Sequence, residues 1–348
     1  MIRSLLLLTV AALTLVAEDL PPVIRIGTGA GTTSLRPWAN GVIGYVGSHR
    51  LLEEEFGKDG VRVEWVTIKG AGPGVNEAFA SDNLDVAQYG DFPAIIGHAA
   101  GIKTRIILNG LRGNNAYLVV PPDSPATSVH DLKGQRISLH KGRPFEIAFH
   151  TLLAEQGLKA SEFRIFNLAP QDGQVALANH QVEGHFSADG PLLEINGTGR
   201  ILWSTRHEKN PQHRATSEIF VTDDFATRYP TATIRLVRVF LRAFKYFGDE
   251  AHRAEWYDLQ AETSTRAVIE REWADSPLRA RNNPLIDDYI RAHYRRVADF
   301  AKERGLLRQA VTDTDAWFDP APLQAALAAE GLTSFWTPVS ADGANLGF

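Results

Sequence analysis

Cysteine is absent from this chain, and its absence removes several classes of chemistry. The 348 residues contain no cysteine and a single methionine. Disulfides, a thiolate nucleophile, thiolate metal sites and a lipid anchor on cysteine are therefore excluded. The motifs H-E-x-x-H and G-x-S-x-G are also missing, and the 11 histidines follow no metal-binding spacing. We expect neither a metal nor a cofactor, and no enzymatic activity.

A large excess of one charge is also missing. Lysine and arginine number 36 against 41 aspartates and glutamates, the net charge is -5, and there is no basic run. Because proteins that bind nucleic acid present a basic surface, we expect no nucleic-acid partner. The hydrophobic fraction of 44% and the charged fraction of 22% are ordinary for a globular protein.

The one long apolar run stands near the start of the sequence. Met1-Ile2-Arg3 precedes apolar residues from Leu5 to Val16, and Ala17 is followed by acidic residues. A short basic start, a short apolar core and a small residue before a polar segment are typical of a secretory signal peptide. The run is too short for a comfortable membrane span. We predict a signal peptide over residues 1–17 and export of the rest; the alternative is a buried N-terminal helix.

Short apolar strands alternate with helical segments from Val23 to Trp203. This alternation predicts an α/β fold of two lobes, each a mainly parallel sheet flanked by helices, with a helical C-terminal tail. Breaks in the pattern near 110–115 and 206–215 predict two crossings between the lobes. We therefore predict lobe 1 over 23–112 and 216–348, and lobe 2 over 113–215.

The most informative stretch is 132–158, which has the pattern of a strand, a tight turn at Gly142, and a helix that starts at Pro144. Proline is favoured at the first helical position, whose N–H needs no partner. Arg143 takes the N-cap position although it offers no acceptor to the free N–H groups. A helix N-terminus beside a cation attracts anions. We predict that Gly142, Arg143 and Phe145 bind one end of a small organic anion.

Two more glycine-rich turns follow predicted strands and precede helices, namely Gly72-Pro73-Gly74 and Gly90-Asp91-Phe92. In open α/β sheets, ligands bind beyond the carboxyl ends of the strands, and main-chain N–H groups at a helix start bind anions. We predict both turns to be part of the ligand site. Asp91 suits an N-cap or a hydrogen bond inside its lobe. Asp189 suits a helix cap or, alternatively, a contact to a donor group of the ligand.

The first glycine-rich loop begins Gly27-Thr28-Gly29-Ala30-Gly31 after a strand. A dinucleotide site would need a helix to start at once and an acidic residue near the end of the next strand, and the sequence has neither. The loop continues through Arg36 and Trp38, which we predict to contact the ligand as a cation and as an apolar wall. The alternative is a surface loop with Trp38 packed into its lobe.

These pieces, in this order, resemble the periplasmic substrate-binding proteins of ABC importers, in the family for aliphatic sulfonates, taurine and nitrate. The matching segments are 72–79, 85–93, 128–134, Lys141-Gly142 and 305–317. The resemblance implies the type II periplasmic-binding-protein fold, closure of two lobes on the ligand, a monomer in the periplasm, and an ABC permease with its ATPase as partners.

Two departures from that family lie in the expected site. Arg143 stands where the family commonly has a small hydroxyl residue, and the first loop is longer. A larger or aromatic-bearing organic anion is therefore plausible beside a simple sulfonate. The alternatives are a receptor for an uncharged heterocycle such as a thiamine pyrimidine precursor, or an enzyme on the same fold, like the pyrimidine-precursor synthases. For a heterocycle, Trp38, Asp91 and Asp189 would matter more than Arg143.

Overall fold

The computed structural model describes residues 20–29, 41–210, 213–261 and 264–347. The predicted signal peptide and the loop that contains Arg36 and Trp38 lie outside these ranges. The strands, in chain order, are β1 (Val23–Thr28), β2 (Arg62–Val66), β3 (Val86–Gly90), β4 (Thr104–Asn114), β5 (Tyr117–Val120), β6 (Arg136–Leu139), β7 (Arg164–Asn167), β8 (Gly184–Ser187), β9 (Arg200–Ser204) and β10 (Ala215–Thr222).

Helices connect most of these strands. In chain order they are α1 (Val42–Ser48), α2 (Leu51–Gly57), α3 (Ala71–Ala80), α4 (Asp91–Ala99), α5 (Pro144–Glu155), α6 (Pro170–Ala178), α7 (Gly190–Ile195), α8 (Asp223–Arg228), α9 (Pro230–Tyr246), α10 (Arg253–Ala261), α11 (Arg266–Trp273), α12 (Leu278–Arg281), α13 (Asp288–Glu303) and α14 (Ala321–Ala329). Within the described ranges, no helix combines the length and the apolar character needed to cross a membrane.

The strands form two five-stranded sheets with the same arrangement. The spatial order is β2-β1-β3-β10-β4 in the first sheet and β7-β6-β8-β5-β9 in the second. In each sheet one strand, β10 or β5, runs antiparallel to its neighbours, and the other pairings are parallel. The predicted two-lobed, mainly parallel α/β fold is confirmed. We call the first sheet with its helices lobe 1 and the second lobe 2.

The antiparallel strand of each sheet is the one that arrives from the other lobe. The chain leaves lobe 1 after Asn114 and enters β5, and it leaves lobe 2 after Ser204 and returns in β10. Because the partner of Asn114 in the sheet is Ala215, the two crossings lie side by side. The residue limits of the lobes stay a prediction.

Apolar side chains cover both faces of each sheet, as expected where helices pack on two sides. In lobe 1, one buried cluster packs around α9 with Phe240 and Phe244, and another packs around α13 with Tyr294. Lobe 2 has a larger cluster that contains Phe149 and Phe186 and a smaller one around Leu177. The sheets are therefore buried layers, and their strand ends remain available for binding.

The stretch predicted to bind an anion, 132–158, forms the predicted strand, turn and helix. β6 ends at Leu139, Gly142 adopts φ of 73°, and α5 starts at Pro144 with Arg143 in extended conformation at the N-cap. No side chain caps this helix start, although Glu146 accepts a hydrogen bond from the Gly142 N–H at 2.6 Å. The turn therefore holds the helix N-terminus in place. Of the first three positions of α5, only Phe145 has an N–H without a partner in the described residues, because Pro144 has no N–H and Glu146 donates to the Arg143 carbonyl oxygen.

Candidate functional site

A cleft lies between the two lobes where the strands of both sheets end. Its smaller compartment has a volume of about 240 Å³. The lobe 1 contribution comes from strand ends and helix starts, and lobe 2 contributes the start of α5. The lining residues are Gly29, Gly72, Gln88, Tyr89, Gly90, Pro93, Leu111, Asn114, Arg143, Pro144, Phe145, Ala215, Thr216, Ser217 and Gln260.

A larger compartment, of about 570 Å³, continues from the smaller one. The two share Leu111, Asn114, Arg143, Phe145 and Gln260. The remaining walls come from α6 and α7 of lobe 2 and from the tail segment around α11. They are formed by Asn115, Gln171, Gln174, Ala188, Asp189, Leu192, Ser264, Val268, Ile269, Glu272, Trp273 and Arg281.

Arg143 lies at the junction of the two compartments. Its guanidinium forms no hydrogen bond or ion pair with any residue in the described part of the chain, although it is partly enclosed. Burial lowers the pKa of Arg143, and the charge of Asp189 opposes that change. The group still keeps its proton at neutral pH. A half-buried cation without a counter-ion attracts an anion strongly, because little water screens it.

Helix starts from both lobes surround the same junction. The first turns of α3 and α4 supply Gly72 and Pro93 to the lining, and α5 supplies Pro144 and Phe145. The positive end of each helix dipole favours negative charge there. The Phe145 N–H of α5 has no partner in the described residues and can donate to an anion, whereas the Phe92 N–H of α4 already donates to Asp91. The main chain of both lobes therefore adds to the field of Arg143.

The lobes touch beside this junction. A Cβ atom added to Gly90 of lobe 1 would come within 2.4 Å of Cγ of Pro144 in lobe 2. A Cβ on Gly142 of lobe 2 would lie 3.6 Å from Cγ of Pro73 in lobe 1. The absence of a side chain at Gly90 therefore allows the start of α5 to approach the end of β3.

Asp189 lies on the other side of the larger compartment, at the N-cap of α7. Its Oδ2 accepts a hydrogen bond from Gln174 Nε2 at 2.9 Å and lies 3.8 Å from His185 Nε2. Burial alone would raise the pKa of Asp189, but the hydrogen bond from Gln174 and the polar surroundings of the carboxylate, which include His185, outweigh burial and the pKa is lowered. Asp189 is thus an ionised carboxylate whose Oδ1 has no partner in the described ranges.

Asp91 and Phe92 point away from the cleft. Asp91 Oδ1 accepts from the Phe92 N–H at 2.6 Å, and its Oδ2 lies 2.6 Å from His293 Nε2 and accepts from the Thr216 N–H at 3.2 Å. The side chain of Phe92 is 1% exposed. Asp91 therefore acts as a hydrogen-bonding residue inside lobe 1, one of the two roles that the sequence suggested for it.

The structure brings some of the sequence-predicted site residues together and not others. Those that line the cleft are Gly72, Gly90, Arg143, Phe145 and Asp189. Gly142 lies in the turn behind them, and Pro73 and Gly74 lie in the first turn of α3 outside the lining. Arg36 and Trp38 lie outside the described residues, so their contact with a ligand stays a prediction.

Sequence reasoning missed a set of polar lining residues. Asn114 ends β4, Thr216 and Ser217 begin β10, and Gln171 and Gln174 lie in the first turns of α6. The rule that ligands bind beyond the carboxyl ends of the strands could have indicated Asn114 and the start of α6. The start of β10 could not be found that way, because an antiparallel strand brings its first residues to the cleft.

Comparisons with known proteins agree with this geometry. The family model described as NMT1/THI5 like matches residues 56–254. A provisionally named aliphatic sulfonates-binding protein of Bacillus subtilis (strain 168) is 28% identical over 265 residues, covering 72% of this chain and 74% of that protein.

A solved structure is more similar still. It is provisionally described as the periplasmic sulfonate-binding protein SsuA of a sulfonate ABC transporter from Methylobacillus flagellatus KT. It is 33% identical, has a TM-score of 0.79, and is matched over 93% of this chain and 99% of its own. At 16% identity and a TM-score of 0.65, the desulfurization enzyme DSZB shares the fold alone, over 90% of this chain and 100% of its own. The chain is therefore a homologue of periplasmic substrate-binding proteins, with a fold that an enzyme also uses.

Proposed function

We propose that this chain, which belongs to the NMT1/THI5-like family, is an exported solute-binding receptor of an ABC importer. It captures a small organic anion of the sulfonate type in the cleft between its lobes. It then delivers this ligand to a membrane permease that works with an ATPase. Its location is the periplasm, and it acts as a monomer. The names of the two homologous binding proteins, both for sulfonates, support this ligand class.

The observation that supports the proposal most is the state of Arg143. The arginine is the N-cap of α5, lines both compartments, and has no counter-ion in the described part of the chain. Removing a cation from water without a partner is unfavourable, and an anion in the cleft would offset that cost. A sulfonate presents three oxygens, enough for the guanidinium fork and for main-chain N–H groups of the adjacent helix starts.

The alternatives are less well supported by the geometry. A receptor for an uncharged heterocycle would use Asp91 and Asp189 to accept hydrogen bonds from the ligand. Asp91 is 2% exposed and its carboxylate is engaged inside lobe 1. For an enzyme on the same fold, the candidate reactive groups at the junction are the hydroxyls of Tyr89, Thr216 and Ser217. No hydrogen bond in the described part of the chain joins any of these hydroxyls to a histidine that could act as a base.

The test is calorimetric titration of the protein with ethanesulfonate, benzenesulfonate, acetate, nitrate and a pyrimidine. We expect a sulfonate to bind, and we expect Arg143→Ala to weaken it at least about tenfold, since hydrogen bonds to charged groups contribute about 1.5–3 kcal/mol. Arg164→Ala is the matched control, because Arg164 is an exposed arginine of β7 in the same lobe.

Two outcomes would contradict the proposal. One is binding of the pyrimidine with an affinity that Arg143→Ala leaves unchanged, which the heterocycle alternative predicts. The other is chemical turnover of a bound sulfonate, detected by mass spectrometry of the recovered ligand, which the enzyme alternative predicts. Monomeric state is checked by light scattering, and permease delivery by ligand-dependent stimulation of the ATPase.

A further inference from the structure

The larger compartment of the cleft contains hydrogen-bonding groups that have no partner among the residues that the structure describes. The side chains of Asn114 and Gln171 form no hydrogen bond in the described ranges, and Oδ1 of Asp189 accepts none. Gln174 uses only its Nε2, which it donates to Asp189. These four residues lie on β4, α6 and α7, so groups from both lobes converge on one space.

We infer that the ligand is an organic anion whose tail carries hydrogen-bond donors, a hydroxyl or an ammonium group, rather than an alkyl chain. This inference rests on the proposed function, since it takes the anionic end to lie at Arg143. It goes beyond that function by assigning the chemistry of the other end. The residue that selects the donor is Asp189.

An alkyl tail would suit only part of this compartment, whose lining combines apolar side chains such as Leu192, Val268 and Trp273 with the polar groups named above. To occupy it, the tail would displace water from Asn114, Gln171 and Asp189 without replacing the lost hydrogen bonds. A site built from hydrogen-bonding groups discriminates strongly against an analogue that lacks the matching group, because its own polar atoms are then left unpaired. The same argument favours a tail that donates to the carboxylate and to the amide oxygens.

The position of Asp189 suits recognition of a donor. Gln174 donates to Oδ2 at 2.9 Å, and Oδ1 accepts no hydrogen bond within the described residues, so Oδ1 can accept from a ligand. The side chain is 25% exposed, so the carboxylate is accessible but poorly screened. A tail with a hydroxyl or an ammonium group can donate to this carboxylate, whereas an alkyl tail would exclude water from it and leave it without a partner.

The other charged groups of the compartment are already engaged. Both carboxylate oxygens of Glu272 accept hydrogen bonds, from Tyr117 Oη and from Asn115 Nδ2 at 2.9 Å. Arg281 donates to the main-chain oxygens of Glu272 and Gly113 and stacks on Trp273 at 3.8 Å. Asp189 therefore differs from Glu272 in having an oxygen to offer.

The experiment compares three probes of similar size, propanesulfonate, isethionate and taurine, which end in a methyl, a hydroxyl and an ammonium group. Calorimetric titration of the full chain should show isethionate, taurine or both binding at least about tenfold more tightly than propanesulfonate. Asp189→Asn should weaken taurine at least about tenfold, isethionate less, and leave propanesulfonate unchanged or tighter.

Two further variants keep the result interpretable. Asp172→Asn makes the same charge change on the exposed surface of α6 and should leave all three affinities unchanged. Gln171→Leu replaces a free amide with an apolar group and should shift the preference toward propanesulfonate even if Asp189→Asn fails to fold. Equal or tighter binding of propanesulfonate to the unmodified protein overturns the inference alone. If none of the three probes and no other anion binds, the proposed function is overturned as well.

Discussion

Two groups of polar residues in this molecule lie close to each other and have opposite properties. The lobe 1 polar cluster, made of Asp91, Asn109, Glu218, His293 and Tyr294, is buried beneath the cleft. Both carboxylate oxygens of Asp91 have hydrogen-bond partners. Both carboxylate oxygens of Glu218 have them too, one from Asn109 and one from Tyr294. In the cleft, Arg143 forms no hydrogen bond or ion pair with any residue of the described ranges, and Oδ1 of Asp189 accepts no hydrogen bond from them.

The difference shows how binding groups can be told from structural ones. Arg112, close to the polar cluster, is a useful contrast to Arg143, because it is 0% exposed and donates to Asp287 at 2.8 Å and to the main-chain oxygens of Asn283 and Leu285. A polar group that is buried and fully paired stabilises one arrangement of the chain. Arg143 is enclosed yet forms no hydrogen bond in the described part of the chain, and its position in the cleft leaves its donors for a ligand.

The largest effect should come from removing the paired arginine. Arg112→Ala leaves Asp287 as a buried, uncompensated charge, and we expect the free energy of unfolding to fall by about 3–5 kcal/mol. Chemical denaturation measures this. Arg143→Ala is the matched comparison, and it should leave the free energy of unfolding unchanged or raise it. Equal destabilisation by the two variants would break the distinction between the two regions.

The next effect concerns pH. Burial, with the charge of Asp91, raises the pKa of Glu218 to about 8, whereas a glutamate in the unfolded chain titrates near about 4.3. A raised folded-state pKa gives stability that is fully present below the unfolded pKa and is lost as the pH rises through the folded one. The free energy of unfolding should therefore decline between about pH 4.3 and 8 because of this residue.

Glu218→Gln sharpens this prediction. The unfolding free energy of the unmodified protein minus that of the variant should decrease as the pH rises from acidic to alkaline. For Glu77→Gln, a change at an exposed glutamate of α3, the corresponding difference in unfolding free energy should not change with pH. A difference in unfolding free energy that does not change with pH for Glu218→Gln would mean that the polar cluster does not hold the carboxyl in its neutral form.

A smaller effect should follow from crowding the contact between the lobes. Gly90→Ala places a methyl group within 2.4 Å of Pro144, so the lobes can no longer approach as closely. Overpacking costs about 1–3 kcal/mol, and we expect sulfonate affinity to fall roughly tenfold with little change in melting temperature. Gly57→Ala, where the added atom meets nothing within 4 Å, is the control. Unchanged affinity for Gly90→Ala would indicate that binding does not need this contact.

The smallest effect should come from Lys141. This lysine flanks the anion junction but is exposed, so water and salt screen its charge. Lys141→Ala should weaken sulfonate binding by less than about threefold, with the loss disappearing at high salt. A loss as large as that of Arg143→Ala would place the anion on the turn rather than in the cleft.

Much of the local structure followed from the sequence. The β6 strand, the turn at Gly142 and the start of α5 at Pro144 lie where residue types predicted them, because proline and glycine restrict the main chain locally. The role of Asp91 could not be decided in this way. An aspartate after a strand can face a ligand or the interior, and His293, which takes up its carboxylate, is 202 positions away along the chain.

The sequence by itself determined the class of fold, the start of α5 at Pro144 and the presence of a cation at that helix start, since these depend on neighbouring residues. It did not determine the starts of α3 and α4, which begin at Ala71 and Asp91 and include residues that we predicted to form turns.

Only the tertiary structure decided which polar groups remain unpaired. It paired Arg112 with Asp287 and Asp91 with His293, both in distant segments of the chain. It left Arg143 and one oxygen of Asp189 facing the cleft. Whether a polar side chain has a partner is a property of the packed chain. In this protein the charged groups of Arg112 and Asp91 are paired inside lobe 1, whereas Arg143 forms no hydrogen bond or ion pair in the described part of the chain.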